Sequence, residues 1–143
     1  MIPIEERFSA ALHHAARAWR LGIDARLKDL GVGQAGWMAI AVISKSATPL
    51  SQKELADQLG VEGSSVVATI DRLVAADLVK RVPSEHDRRV KLVLLTPAGE
   101  ALYTKVKKEA EAFRRETLAD IDPAALRTAT EMLETLRARI ERP

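Results

Sequence analysis

The stretch DRRVKLVLLTPAGEAL, from Asp87 to Leu102, decides how the rest of the chain is read. Two adjacent arginines stand beside an aspartate. A strongly apolar run follows and closes on Thr96-Pro97. Threonine as an N-cap with proline at the first helical position marks a helix start. A charged tip, a buried strand and a new helix therefore follow one another directly. Immediately upstream, Leu78–Val82 is short and rich in β-branched residues, and Pro83–Arg89 is polar and turn-like. With Val90–Leu95 these segments predict a β-hairpin whose tip carries the charge.

Further upstream, Ser51-Gln-Lys-Glu54 has the form of a capping box, in which serine and glutamate satisfy each other's backbone amides. A short helix follows with Leu55, Ala56 and Leu59 on one face, and Gly60 stops it. Val61 leads into a second short helix, about Ser64–Ala76. The pattern places Val66, Val67, Ile70, Leu73 and Val74 inward and leaves Ser64, Ser65, Ala68, Thr69 and Arg72 outward. Two short helices joined by a tight glycine turn predict a helix-turn-helix. A hairpin directly after such a motif is a wing. Its strand must be apolar because it packs on the motif. Its tip must be basic if it reaches DNA, because phosphates and narrow minor grooves carry negative potential. From Lys80 to Lys91 five basic residues (Lys80, Arg81, Arg88, Arg89, Lys91) face two acidic ones, Glu85 and Asp87. The plainer reading is that Arg88 and Arg89 merely solvate a loop.

Long helices flank this core. Glu5–Leu30 carries Phe8, Leu12, Ala15, Trp19, Ile23, Leu27 and Leu30 at spacings of three and four, one apolar stripe. Gly31 and Gly33 break it, and a helix of about Gln34–Ser44 follows, with Thr48-Pro49 as a loop. After Thr96-Pro97 a long helix runs to about Asp120. Asp122-Pro123 starts the last one, where Leu126, Ala129, Leu133, Leu136 and Ile140 alternate +3 and +4. Such a narrow seam suits lengthwise packing on another helix.

The composition fits this reading. The 143 residues are 47% hydrophobic but only 3% aromatic, so the apolar content is mostly alanine, leucine and valine, which favours helices. The longest apolar run, Trp37–Ile43, is far short of the roughly 20 residues that span a bilayer. The start, MIPIEERF, does not look like a secretory signal. With no cysteine there is no disulfide, thiolate metal site or cysteine switch. A cytoplasmic protein is the expectation. The net charge of +2 permits nucleic-acid binding without arguing for it.

The segment KELADQLGVEGSSVVATIDRLVAADLVKRVPSEHDRRVKLVLLTPAG resembles the winged-helix core of the MarR family of transcriptional regulators. The D-x-R wing before an apolar strand and L-T-x-x-G is its most telling part. The N-terminal stretch ARAWRLGIDARLKDLGVGQAGWMAI is similar to the SlyA branch of that family. The resemblance implies a mainly α fold with a small β-hairpin wing. Its winged helix-turn-helix core, residues 32–99, would be flanked by an N-terminal dimerisation helix (1–31) and C-terminal dimerisation helices (100–143). It implies a homodimer on double-stranded DNA with a pseudo-palindromic operator, often responsive to a small aromatic or phenolic ligand. The wing motif carries over to Asp87, Arg88 and Arg89, and with them Ser51, Ser64, Ser65, Thr69 and Arg72 are the expected DNA contacts. One wing arginine would enter the minor groove while Asp87 orients the pair. The recognition helix departs from the SlyA-like pattern, with Ala68 where an arginine is common. Arg17, Arg20 and Trp37 match positions that bind aromatic carboxylates in SlyA-like proteins, and Leu126, Leu133, Leu136 and Ile140 of the +3/+4 seam are the expected dimer contacts.

Other readings are open. A ligand-independent architectural or anti-silencing winged-helix DNA binder would share the fold. Arg17 and Arg20 could be solvated or pair across a dimer, with Trp37 in a core. A protein-interaction module that has lost DNA binding draws support only from Ala68 and the weakly basic recognition helix. Gly31–Gly36 fits G-x-G-x-x-G letter for letter, but a long amphipathic helix, not a strand, precedes it. His13-His14 are adjacent, so they point about 100° apart on a helix and do not chelate. No enzymatic site, metal or cofactor is expected.

Overall fold

A computed structural model describes residues 1–142. The order of elements is α1 (Ile4–Leu27), a 3-10 turn (Lys28–Leu30), α2 (Gly33–Lys45), β1 (Leu50–Ser51), α3 (Gln52–Leu59), α4 (Gly63–Ala75), β2 (Val79–Pro83), β3 (Lys91–Leu95), α5 (Pro97–Thr117) and α6 (Pro123–Ile140). The fold is mainly helical with a small antiparallel sheet in the order β1-β3-β2, a winged helix as expected. The chain divides into two compact units, Met1–Phe113 and the residues from Arg114 onward. No helix among the described residues is long and apolar enough to cross a membrane.

The main core of the first unit lies where the helix-turn-helix meets the sheet. Ile40, Leu55, Ile70 and Val93 are fully buried there, joined by Ala39, Leu50, Ala56, Val66, Leu73 and Val79. Every element from α2 to β3 contributes, so the wing is built into the core rather than appended to it. A second, smaller cluster joins α1 to α5 through Ile23, Leu27 and Val106, with Trp19, Leu30, Trp37 and Phe113 packed around them. Trp19 meets Phe113 edge to face with ring centroids 5.0 Å apart. Gly22 makes room for that ring, because a Cβ there would lie 2.7 Å from it.

Several local expectations change. The α1 helix ends at Leu27, and Lys28–Leu30 tighten into a 3-10 turn capped by Gly31 at φ +76. Of its seven-residue stripe only Ile23 and Leu27 are buried; Leu12 and Ala15 are exposed. Leu50–Ser51, where no strand is expected, forms β1 by pairing Leu50 with Val93 and Ser51 with Leu92. It is recruited by the free edge of β3 rather than by its own propensity. On α4 the buried stripe is Val66, Thr69, Ile70 and Leu73. Thr69 is only 7% exposed, whereas Val67 is 40% and Val74 37% exposed. Helical geometry decides this: residues 66, 69, 70 and 73 share one face, and 67 and 74 are turned aside by about 100° from 66 and 73.

Candidate nucleic-acid interface

The turn between α3 and α4 is fixed by backbone chemistry. The Glu54 amide donates to Ser51 Oγ at 3.1 Å and the Ser51 amide to Glu54 Oε1 at 3.0 Å, a complete capping box. The hydrogen bond from the Ser51 amide, and then the Ser51 hydroxyl, hold the Glu54 carboxyl below its usual range. Ser51, expected at the DNA, thus uses its hydroxyl oxygen to cap α3. Gly60, at φ +68, ends α3 in the left-handed conformation that glycine adopts without steric cost.

Ser64, Ser65, Ala68 and Arg72 face outward on α4 as the sequence predicts. Thr69 does not. Its side chain belongs to the buried stripe, and its Oγ1 accepts a long 3.5 Å contact from Arg72 Nη2. It is therefore removed from the outward set.

The wing is locked to both helices by Arg81, which sequence reading counted only as local charge. From β2, its Nε donates to Gln52 Oε1 at 2.7 Å and its Nη2 to Asp71 Oδ1 at 2.6 Å. One guanidinium thus joins the first residue of α3, the middle of α4 and the wing. The planar fork of arginine suits such a two-way contact. No local rule signals it, since Arg81 is 10 residues from Asp71 and 29 from Gln52.

At the tip, the Ser84 amide donates to the Val90 carbonyl at 2.9 Å and the Val90 amide to that of Asp87, also at 2.9 Å. Asp87 then grips Arg89 three times. Its Oδ1 accepts from the Arg89 amide at 3.0 Å and from Nε at 3.1 Å, and its Oδ2 from Nη2 at 3.2 Å. The Arg89 guanidinium, followed by its amide, holds the Asp87 carboxyl below its usual range. The Arg89 side chain remains 91% exposed. In water such a pair adds little stability; it selects a rotamer. Of the two wing arginines, Arg89 is therefore the one Asp87 orients. Arg88 is exposed and enters no ion pair among the described residues.

The residues expected at an effector site are only partly brought together. The Trp37 indole N–H donates to Asp24 Oδ1 at 3.1 Å, and the ring packs against the α1–α5 cluster. Asp24 lies one turn beyond Arg20 on α1, and Arg17 and Arg20 are exposed. The expected seam on α6 is mixed: Leu126 and Leu136 are half-buried, Leu133 is 42% exposed and Ile140 80%.

The base of the wing meets α5 through the L-T-x-x-G motif. Thr96 Oγ1 donates to the Asp77 carbonyl at 2.6 Å and accepts from the Gly99 amide at 3.0 Å, capping α5. Asp77 itself adopts φ +61, which aspartate tolerates better than most residues. Gly99 presses so close to Leu78 that a Cβ would fall 2.0 Å from the Leu78 carbonyl oxygen.

Comparison with known proteins places this architecture. A family model described as "MarR family" matches residues 30–90, from the 3-10 turn after α1 to the wing tip. The crystal structure of the transcriptional regulator PA3341 is similar over 94% of this chain and 98% of its own, with 32% identity and a TM-score of 0.86. A MarR transcriptional regulator from Methanosarcina mazei Go1 has 24% identity and a TM-score of 0.81, covering 94% of this chain and 96% of its own. A mutant MarR from E. coli complexed with operator DNA has 21% identity and a TM-score of 0.81, over 91% and 93% of the two chains. At those two identities the likeness is one of fold. By the family match, and by its identity with PA3341 over almost the whole length of both chains, this chain belongs to the MarR family of transcriptional regulators.

Proposed function

We propose that the chain acts as a homodimer on a pseudo-palindromic operator, with α4 in the major groove and the wing tip against the minor groove of each half-site. The observation that carries this is the tip itself. Asp87 holds Arg89 by two guanidinium contacts and one amide contact while the side chain stays in solvent, and Arg88 stands exposed beside it. A solvated loop needs no such rotamer selection, whereas an arginine that must enter a narrow groove gains from being pre-set. The Arg81 contacts to Gln52 and Asp71 support the same reading, because they fix where the wing stands relative to α4. The MarR structure with operator DNA shows that the fold can present itself to a duplex.

Dimerisation is supported by the apolar residues that the single chain leaves in water. Ile4, Leu12 and Leu21 are exposed on α1, and Met132, Leu133 and Ile140 on α6. An aromatic carboxylate as effector is supported by Arg17 and Arg20, exposed on one face of α1 a turn before the Asp24 that holds the Trp37 indole. This is the SlyA-like element of the reading.

The test is binding to duplex DNA as a function of salt. Each lost phosphate contact lowers the slope of log K against log salt by about 0.9, so Arg88→Ala or Arg89→Ala lowers it by up to about 2 in a dimer. Asp87→Ala weakens binding in the same direction although it removes a negative charge, because Arg89 loses its rotamer. Tighter binding by Asp87→Ala, with neither arginine mattering, would refute the assignment.

A further inference from the structure

The outward face of α4 lacks the groups that most often read base edges. Measured at about 100° per residue from the buried stripe, Ser64, Ala68 and Ala75 lie opposite it, with Val67 on one flank and Ser65 and Arg72 on the other. Asp71 points to the same side but is held by Arg81. No asparagine or glutamine stands on this helix, and Arg72 is its only cation. What the face does offer is methyl groups. Ala68 is exposed and Val67 is 40% exposed, although Thr69 is buried beside them.

We infer that α4 selects thymine, the Ala68 and Val67 methyls packing against thymine C5 methyls in the major groove. This rests on the DNA-binding reading above and adds the base that the helix selects. Thymine is the base that carries a methyl in the major groove, whereas guanine is read best by a bidentate arginine or lysine. Serine hydroxyls serve several bases and leave the choice to their neighbours. The Arg81 lock keeps the Asp71 carboxylate from facing the groove unpaired, where it would favour a cytosine amine.

The experiment starts by selecting a preferred duplex from random sequence with the full chain, followed by footprinting. Each thymine under α4 is then replaced by deoxyuridine, which removes the C5 methyl and keeps the hydrogen-bonding edge. At one or more positions per half-site uracil weakens binding about four-fold, and a symmetric pair about fifteen-fold, the transfer value of one and two methyls. Val67→Ala narrows that gap, and Ala68→Arg, which also favours helix, shifts the selected base towards guanine. Equal binding of thymine and uracil duplexes at every position overturns the inference alone. So does a selected site without thymine under α4, or an Ala68→Arg variant that still selects the same thymines with the same affinity. If no sequence is enriched and duplex binding does not depend on salt, the DNA-binding reading falls and this inference falls with it.

Discussion

Substituting Gly99 by alanine tests the joint between the wing and α5 most sharply, because two effects of opposite sign compete. Gly99 sits in the first turn of α5. On propensity alone, alanine in a helix is better than glycine by about 1 kcal/mol. The packing says the reverse. The new Cβ would lie 2.0 Å from the Leu78 carbonyl oxygen and 3.1 Å from its carbon, where carbon–oxygen contacts settle at about 3.3 Å or more, so the two backbones must part by about 1.3 Å. Neither partner is a flexible side-chain end. The same Leu78 carbonyl accepts the Thr96 amide at 3.1 Å, and Thr96 Oγ1 binds the Asp77 carbonyl at 2.6 Å. Parting the backbones strains both bonds. Overpacking of this kind costs about 1–3 kcal/mol, and each weakened hydrogen bond adds about 1 kcal/mol.

The net expectation is a loss of about 3 kcal/mol. At roughly 2–4 °C per kcal/mol for a chain of this size, Tm falls by about 6–12 °C. Thermal unfolding followed by circular dichroism reads this directly. Gly63→Ala is the internal control: a Cβ there meets nothing within 4 Å, so its Tm holds or rises. A Gly99→Ala protein as stable as the parent, or more so, would refute the claim that L-T-x-x-G is a packing motif.

Three further outcomes are expected. Arg81→Met keeps the buried stem but loses the contacts to Gln52 and Asp71; with Asp71 61% exposed the stability change stays within about 1 kcal/mol, yet DNA affinity falls at least several-fold, and an unchanged affinity would show the lock to be idle. Leu133→Asp places a charge in the exposed α6 seam, so sedimentation should show monomer or aggregate and gel shift no operator binding; a variant that stays dimeric argues against the seam. Salicylate-like acids at millimolar levels should weaken DNA binding of the parent, and Arg17→Ala should remove the response with DNA affinity nearly intact; no response from any benzoate or phenolic acid would remove the effector assignment.

What was legible in the sequence is what local chemistry fixes. The Ser51/Glu54 box spans three residues and forms as written. That Asp87 orients a wing arginine was legible in the D-x-R motif, whereas its choice of Arg89 over the adjacent Arg88 came with the folded tip. The Thr96-Pro97 start of α5 and the Asp122 cap of α6 are equally local. What was not legible depends on partners far along the chain. The two-residue strand β1 exists because β3 offers an edge to Leu50 and Ser51. Arg81 finds Asp71 and Gln52 only once β2 has folded back onto the helix-turn-helix.

The α4 helix shows why hydropathy alone misplaces residues on a short amphipathic element. Val66, Val67, Ile70, Leu73 and Val74 make an apolar arc turned by about 50° from the face that is buried. The core takes the face centred between Val66 and Leu73, with Thr69 and the fully buried Ile70 at its two edges. Thr69 lies on that face and is buried with it, its hydroxyl reached by Arg72. Val67 and Val74 lie outside it and stay exposed, although their burial would be worth more. Position on the helix thus overrides residue type. A valine left in water at this place costs the free protein some solvation, and that cost is recovered when another methyl covers it. On the thymine reading proposed above that methyl is thymine's, so Val67, which hydropathy misplaces, joins Ala68 in base selection.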